Sequence, residues 1–119
     1  MKTTIKILML VFIGTMNTGN SYTQETKRVD TTQFHVSGVC GQCKTRIENA
    51  AFIKGVKWAQ WDVETGVLSV IYRSDKVEPD AVHKAVARAG HDTEKFRAPD
   101  EVYSRLPRCC AYRDGVSVH

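Results

Sequence analysis

The sequence has no apolar run long enough to cross a membrane. The longest run, residues 7–13, spans seven residues, whereas a spanning helix needs about 20. No cysteine lies directly after that run, which argues against a lipoprotein. The chain also lacks a basic patch interleaved with aromatics, because its 17 basic residues are scattered among 13 acidic ones. The lack of a basic patch excludes nucleic acid as a partner. The lack of a long apolar run means that we expect no membrane span once the secretory signal of residues 1–21 has been removed.

The first 21 residues have the order of a secretory signal. Lys2 and Lys6 precede the apolar run, small polar residues follow it, and no acidic residue is present. Gly19 and Ser21 stand where an Ala-x-Ala pattern is usual, and we place the cleavage after Ser21. Loss of the two lysines would lower the formal charge from +4 to +2. We expect an exported, periplasmic protein with a signal peptide over residues 1–21, a flexible lead over 22–30, a domain over 31–98 and a tail over 99–119.

The pattern of apolar residues predicts alternating strands and helices after residue 30. Strands are predicted at 31–37, 56–63, 67–72 and 93–96, and helices at 43–52 and 79–89. Glu64-Thr65-Gly66 provides a hairpin turn between the second and third strands. The order β-α-β-β-α-β predicts an α+β, ferredoxin-like domain, in which a four-stranded antiparallel sheet carries both helices on one face. The third strand is apolar on both faces, so we expect the tail or a partner to cover its outer face.

Cys40-Gly41-Gln42-Cys43 lies where the first predicted strand turns into the first helix. A sulfur there meets unpaired backbone N–H groups and the positive end of the helix dipole, which favour the thiolate. A thiolate pair is a soft ligand set, suited to Cu(I), Hg(II) or Zn(II) and poorly suited to Mg or Ca. A closed zinc site usually has four protein ligands, and this loop supplies two. We expect Cu(I), with Hg(II) or Zn(II) as alternatives.

Two other functions remain open for the same motif. Cys40-Gly41-Gln42-Cys43 resembles the Cys-Gly-x-Cys of thioredoxin-type oxidoreductases. In thioredoxin-like folds a β-α-β unit precedes the motif, whereas only one predicted strand precedes it here. An exported protein could also use the pair as a structural disulfide. We expect metal binding without enzymatic catalysis, and a thiol-disulfide oxidoreductase or a disulfide-stabilised domain is the alternative.

The stretch from Gly38 to Glu48, together with Gly55-Val56, Trp61-Asp62 and Ala89-Gly90-His91-Asp92, resembles the heavy-metal-associated domain family. That family includes copper chaperones, domains of copper-transporting P-type ATPases and periplasmic mercury-binding proteins. The resemblance covers residues 31–98 and implies that Cys40 and Cys43 are the metal ligands. The family commonly has Met where this chain has Gly38. We expect a monomer that passes its ion by ligand exchange to a metal-transporting ATPase or another metal carrier.

His91 is a further candidate in the loop that this fold places beside the metal loop. The family often has a residue there that tunes or caps the ion, so His91 would act as a third ligand or support the ligands. An exposed loop histidine is the alternative. We expect the other histidines, His35, His83 and His119, to lie on the surface.

Cys109 and Cys110 lie in the tail, beyond the part of the chain that the resemblance covers. Adjacent cysteines rarely form a disulfide with each other, because the small ring that this disulfide closes strains the peptide bond between them. We therefore predict a second soft-metal site at Cys109 and Cys110, or a four-sulfur site shared with Cys40 and Cys43. Disulfides of the tail with Cys40 or Cys43, or ordinary surface thiols, are the alternatives. We prefer the separate site, since apolar residues 102–106 are expected to hold the tail on the outer face of the third strand.

Overall fold

A computed structural model describes residues 28–115 and 118. The predicted signal peptide and most of the predicted lead lie outside these residues. The strands are β1 (Val29–His35), β2 (Val56–Trp61) and β3 (Val67–Arg73). The helices are α1 (Gly41–Ala51), α2 (Pro79–Arg88) and the short α3 (Asp100–Tyr103). Two 3-10 turns follow in the tail, at Arg108–Cys110 and Tyr112–Asp114.

The three strands form an antiparallel sheet in the order β1-β3-β2. The predicted hairpin joins β2 to β3, and Gly66 adopts a φ of 74° that favours glycine. The Asp62 carboxylate accepts hydrogen bonds from the backbone N–H groups of Glu64 (2.8 Å) and Thr65 (3.3 Å), which fixes the turn. The central strand β3 therefore lies between its two partners, as the predicted element order requires.

The predicted fourth strand at residues 93–96 is not formed in the described part of the chain. Only one bridge, between Val36 and Thr93, remains of it. The Thr93 hydroxyl accepts hydrogen bonds from the N–H groups of Lys95 (3.2 Å) and Phe96 (3.0 Å). The Glu94 carboxylate accepts the His35 N–H at 2.7 Å, where a strand would offer a carbonyl. The segment is a tight turn because its polar side chains compete with the sheet for backbone groups.

One hydrophobic core joins the sheet to α1 and α2. The inward residues of β3 alternate with half-buried ones, and Trp61 on β2 is buried while Trp58, on the opposite face, is exposed. Both helices direct apolar residues into the same core, which places them on one face of the sheet as predicted. The side chains that form its centre are Phe34, Ile47, Ala51, Trp61, Leu68, Val70, Val82 and Val86.

The prediction that His83 lies on the surface is wrong. The imidazole is buried in α2, stacks on Phe34 with ring centroids 3.6 Å apart, and bonds through Nδ1 to the Thr93 hydroxyl at 2.9 Å. Burial lowers the pKa of His83. Of the other two histidines expected on the surface, His35 is exposed as predicted, and His119 lies outside the described residues.

The described residues of the tail do not pack on the outer face of β3, which corrects the sequence prediction. Leu106, Cys109 and Tyr112 pack instead against the core, and Leu106 lies over Gly90. The outward residues of β3, including Ile71, stay half-buried. The tail therefore covers the end of the domain where α1 begins. No helix among the described residues has the length and apolar character that a bilayer crossing requires.

Candidate metal centre

The loop between β1 and α1 is held in place by Trp61. Its indole N–H donates to the carbonyl oxygens of Val36 (3.0 Å) and Gly66 (3.1 Å), which ties the base of the loop to the hairpin. A Cβ placed on Gly38 would lie 3.0 Å from two atoms of the Trp61 ring. The indole therefore occupies the space beside the loop that a side chain at position 38 would need.

The loop delivers Cys40 to the beginning of α1 and Cys43 to its first turn. Cys40 is the N-cap residue, in an extended conformation, and its carbonyl accepts the N–H of Lys44 at 3.0 Å. Cys43 lies on the buried face of the helix, in line with Ile47 and Ala51. The two sulfurs are 3.4 Å apart. The predicted pair is thus brought together at the end of the helix where the dipole favours negative charge.

A third sulfur comes from the tail. The Cys110 Sγ lies 3.5 Å from the Cys40 Sγ, and the sulfurs of Cys40, Cys43 and Cys110 all lie within 4.8 Å of one another. All three residues are buried, with 4%, 0% and 0% of their surface exposed, respectively. Within the described residues, no other group of histidine, cysteine or acidic side chains converges in this way.

The three thiols differ in their tendency to lose a proton. Burial raises the pKa of Cys40, but the Cys43 backbone N–H and the neighbouring thiols together bring that pKa down to about 7. Burial raises the pKa of Cys43 and, more strongly, that of Cys110, whose thiol is also held protonated by hydrogen bonds to the sulfurs of Cys43 and Cys40. The arrangement therefore favours a thiolate at Cys40 with two thiols beside it.

Cys109 lies at the edge of the sulfur cluster, outside the group formed by Cys40, Cys43 and Cys110. Its Sγ donates to the Gln42 side-chain oxygen at 3.1 Å and lies 4.0 Å from the Cys110 Sγ. The residue is half-buried. The geometry thus favours a site shared by the tail and the loop over a separate Cys109–Cys110 site, and it brings together three sulfurs instead of four.

His91 is fully buried beneath the tail and lies outside the sulfur cluster. Its Nδ1 is 2.8 Å from the Ser37 carbonyl oxygen, and its ring stacks on Tyr112 with centroids 5.5 Å apart. The Nε2 has no hydrogen-bond partner within the described part of the chain. Burial lowers the pKa of His91, against the effect of the Ser37 hydrogen bond. The neutral imidazole contacts both the metal loop and the tail.

Two contacts fasten the tail beside His91. The Tyr112 hydroxyl donates to the Gly90 carbonyl at 2.6 Å and accepts the Asp92 N–H at 3.0 Å. The Arg113 guanidinium bonds to the Asp92 carboxylate at 2.7 Å and to the Ala98 carbonyl at 2.8 Å. Both anchors lie within three residues of Cys110, so they determine where its sulfur lies.

The basic side chain of Lys44, which follows Cys43 in the sequence, has its partners outside the sulfur cluster. Lys44 forms an ion pair with Glu48 and donates to the Trp61 carbonyl at 3.1 Å. Its hydrogen bonds therefore connect α1 to β2.

Soft donors dominate the cluster, which contains three sulfurs and neither carboxylate nor imidazole. Such a set suits Cu(I), Hg(II) or Zn(II). With a metal–sulfur bond of about 2.3 Å as the scale, sulfurs on opposite sides of an ion lie about 4.6 Å apart, and sulfurs at the corners of a triangle about 4 Å apart. The separations of 3.4 and 3.5 Å are shorter than both values and nearest to the distance of about 3.8 Å between the corners of a tetrahedron, so they disfavour only the linear arrangement.

The fold and the site define a class of protein: a small ferredoxin-like domain that gathers soft sulfur ligands where its first helix begins. This chain belongs to the heavy-metal-associated domain family, whose family model matches residues 33–92. The match includes Cys40, Cys43 and His91 and ends before Cys109 and Cys110. A comparison with curated proteins found no match.

Three solved structures illustrate the likeness. A protein described as CopZ metallochaperone is 33% identical, with a TM-score of 0.52, and the match covers 54% of this chain and 98% of that one. Oxidized MerP from Ralstonia metallidurans CH34 is 25% identical, with a TM-score of 0.53 and coverage of 56% and 94%. A structure described as "Crosstalk between Cu(I) and Zn(II) homeostasis" is 27% identical, with a TM-score of 0.51 and coverage of 55% and 96%.

Proposed function

We propose that this protein is an exported carrier of a soft metal ion, Cu(I) first and Hg(II) or Zn(II) as alternatives, which it binds through Cys40 and Cys43. The observation that carries the proposal is the convergence of these two sulfurs, 3.4 Å apart, at the start of α1 in a heavy-metal-associated domain. The likeness to a metallochaperone and to a structure concerned with Cu(I) and Zn(II) supports it.

The ion is cargo in this proposal, and the protein performs no covalent catalysis. Binding replaces the thiol protons with the ion, so the thiolate at Cys40 is the first point of attachment. The ion leaves by ligand exchange with thiolates of a metal-transporting ATPase or another carrier. We place this exchange outside the cytoplasm, because residues 1–21 have the composition of a secretory signal. The intact mass of the exported chain checks cleavage after Ser21.

Single substitutions Cys40→Ser and Cys43→Ser test the proposal. Each removes one ligand while the core stays intact, so we expect the Cu(I) affinity to fall by at least about 100-fold with an unchanged circular dichroism spectrum. The measurement is a competition titration of the reduced protein against a Cu(I) chelator. Cys109→Ser is the matched control, since its sulfur lies outside the cluster and serine keeps a donor for Gln42. Wild-type Cu(I) affinity in both single variants would show that Cys40 and Cys43 are not the metal ligands.

A thiol-disulfide oxidoreductase is the second candidate, favoured by the pKa of about 7 at Cys40 and the nearness of Cys43. Burial of both sulfurs works against it, because a substrate disulfide has to reach the attacking thiolate. An insulin-reduction assay separates the two functions. A carrier gives no reduction above the background of free dithiol.

A further inference from the structure

The sulfur cluster is closed in a way that a carrier of a soft ion does not require. Ligand exchange needs a position where a partner's thiolate can approach the ion. The tail fills that position here, since Cys110 is fully buried against Cys40 and Cys43. The matched family region ends at residue 92, so this cover is an addition to the domain.

The tail is fastened on both sides of Cys110. On one side, Leu106 packs on Gly90, whose φ of 110° and close contact leave no room for a side chain. On the other side, Tyr112 and Arg113 bond to residues 90–98. The Tyr112 and Arg113 hydrogen bonds are polar, and Leu106 packs on the margin of the core. Opening the tail would therefore expose these side chains while the packing of the sheet on α1 and α2 stays in place.

We propose that the C-terminal tail is a latch that supplies Cys110 as a third thiolate to the ion and has to lift away before the ion can pass to a partner. The proposal rests on the proposed function, since it requires that Cys40 and Cys43 hold the ion. It adds a coordination number of three and a step that regulates release.

The exchange balances as a substitution at the ion. The bond between the ion and the Cys110 sulfur breaks as the tail lifts, and the released thiolate takes a proton from water. A partner thiol gives its proton to water and forms the new metal–sulfur bond. The ion keeps its oxidation state, so no oxidant or reductant takes part.

Cys110→Ser and Cys109→Ser, in the full reduced chain, form the matched pair for the test. Both change one sulfur to oxygen in adjacent residues, but only the Cys110 sulfur belongs to the group of three. The Cu(I)-loaded proteins are compared by X-ray absorption, which counts sulfur neighbours. We expect three sulfurs in the wild type and in Cys109→Ser, and two in Cys110→Ser. Two sulfurs in the wild type would overturn the proposal while leaving the proposed function in place.

The rate of Cu(I) transfer to an excess of chelator gives the second measurement. We expect Cys110→Ser to release the ion at least about tenfold faster than the wild type, because the ion has lost one of its three bonds to sulfur. A tenfold change corresponds to about 1.4 kcal/mol. Arg113→Ala, which keeps every sulfur but loosens the tail, should also release it faster. Wild-type rates in both variants would overturn the latch. Loss of binding in Cys40→Ser and Cys43→Ser tests the proposed function independently.

Discussion

Replacing Arg113 with alanine removes the strongest contact between the tail and the rest of the domain. The guanidinium is bonded to the Asp92 carboxylate at 2.7 and 3.3 Å, and to the Ala98 carbonyl at 2.8 Å. It also lies 4.3 Å from the centroid of the Tyr103 ring. The side chains of Arg113 and Asp92 are only 15% and 22% exposed, so solvent screens this pair less than a surface pair.

The size of the effect follows from these contacts. Hydrogen bonds to a charged group contribute about 1.5–3 kcal/mol, and bonds that share one partner are not additive. The stacking on Tyr103 lies within the tail, so it does not add to the free energy of docking. The bond to Asp100, which is 84% exposed, adds little. A total of about 3 kcal/mol would shift the equilibrium between docked and undocked tail by about 100-fold.

Thiol labelling of the reduced, metal-free protein measures this shift. When the tail opens and closes faster than the reagent reacts, the labelling rate of Cys110 follows the population of the open form. We expect labelling about 100-fold faster in Arg113→Ala, with a smaller change at the half-buried Cys109. Arg97→Ala is the control, because Arg97 is 68% exposed and its pair is with the exposed Asp100. Equal labelling rates in Arg113→Ala and wild type would refute this account of the tail.

Two further predictions concern the core that supports the site. Gly38→Met, which introduces the residue common in the family, should destabilise the protein by about 1–3 kcal/mol in a urea titration, because the Trp61 ring occupies that space; unchanged stability would contradict this packing. Acidification from pH 7 to 5 should lower the melting temperature of the metal-free protein. The pKa of His83 is lowered by burial, so the unfolded chain takes up the proton first, near its ordinary value of 6.5. His83→Gln should show a shallower decline, and a slope equal to that of the wild type would assign the pH dependence to other groups.

Most of the domain could be predicted from local patterns. The apolar spacing around Ile47 and Val86 predicts both helices, and Gly66 marks the hairpin. The fourth strand could not be predicted correctly, because its fate depends on Glu94 and Thr93, whose side chains take the backbone partners of a strand. These contacts are specific to the folded chain and leave no periodic signal.

The position of the tail could not be predicted from the sequence either. The pair Cys109 and Cys110 predicted either a separate site or one shared with the CxxC motif, with the separate site preferred, and it did not show which sulfur would reach that motif. That choice depends on Tyr112 and Arg113, which bind the loop that follows α2. A buried partner for Arg113 cannot be recognised from spacing, since Asp92 lies 21 residues away. The burial of His83 was missed for a related reason, because its partner Phe34 lies on a distant strand.

Native mass spectrometry of the exported protein, purified without air, tests the central claim most directly. It reports the ion, its stoichiometry and the oxidation state of the four cysteines together. The account predicts one soft ion per chain, Cu(I) first, which is lost when Cys40 and Cys43 are both replaced by serine and retained in Cys109→Ser. The contradicting result is a metal-free chain with a Cys40–Cys43 disulfide that does not bind Cu(I) even after treatment with a reductant.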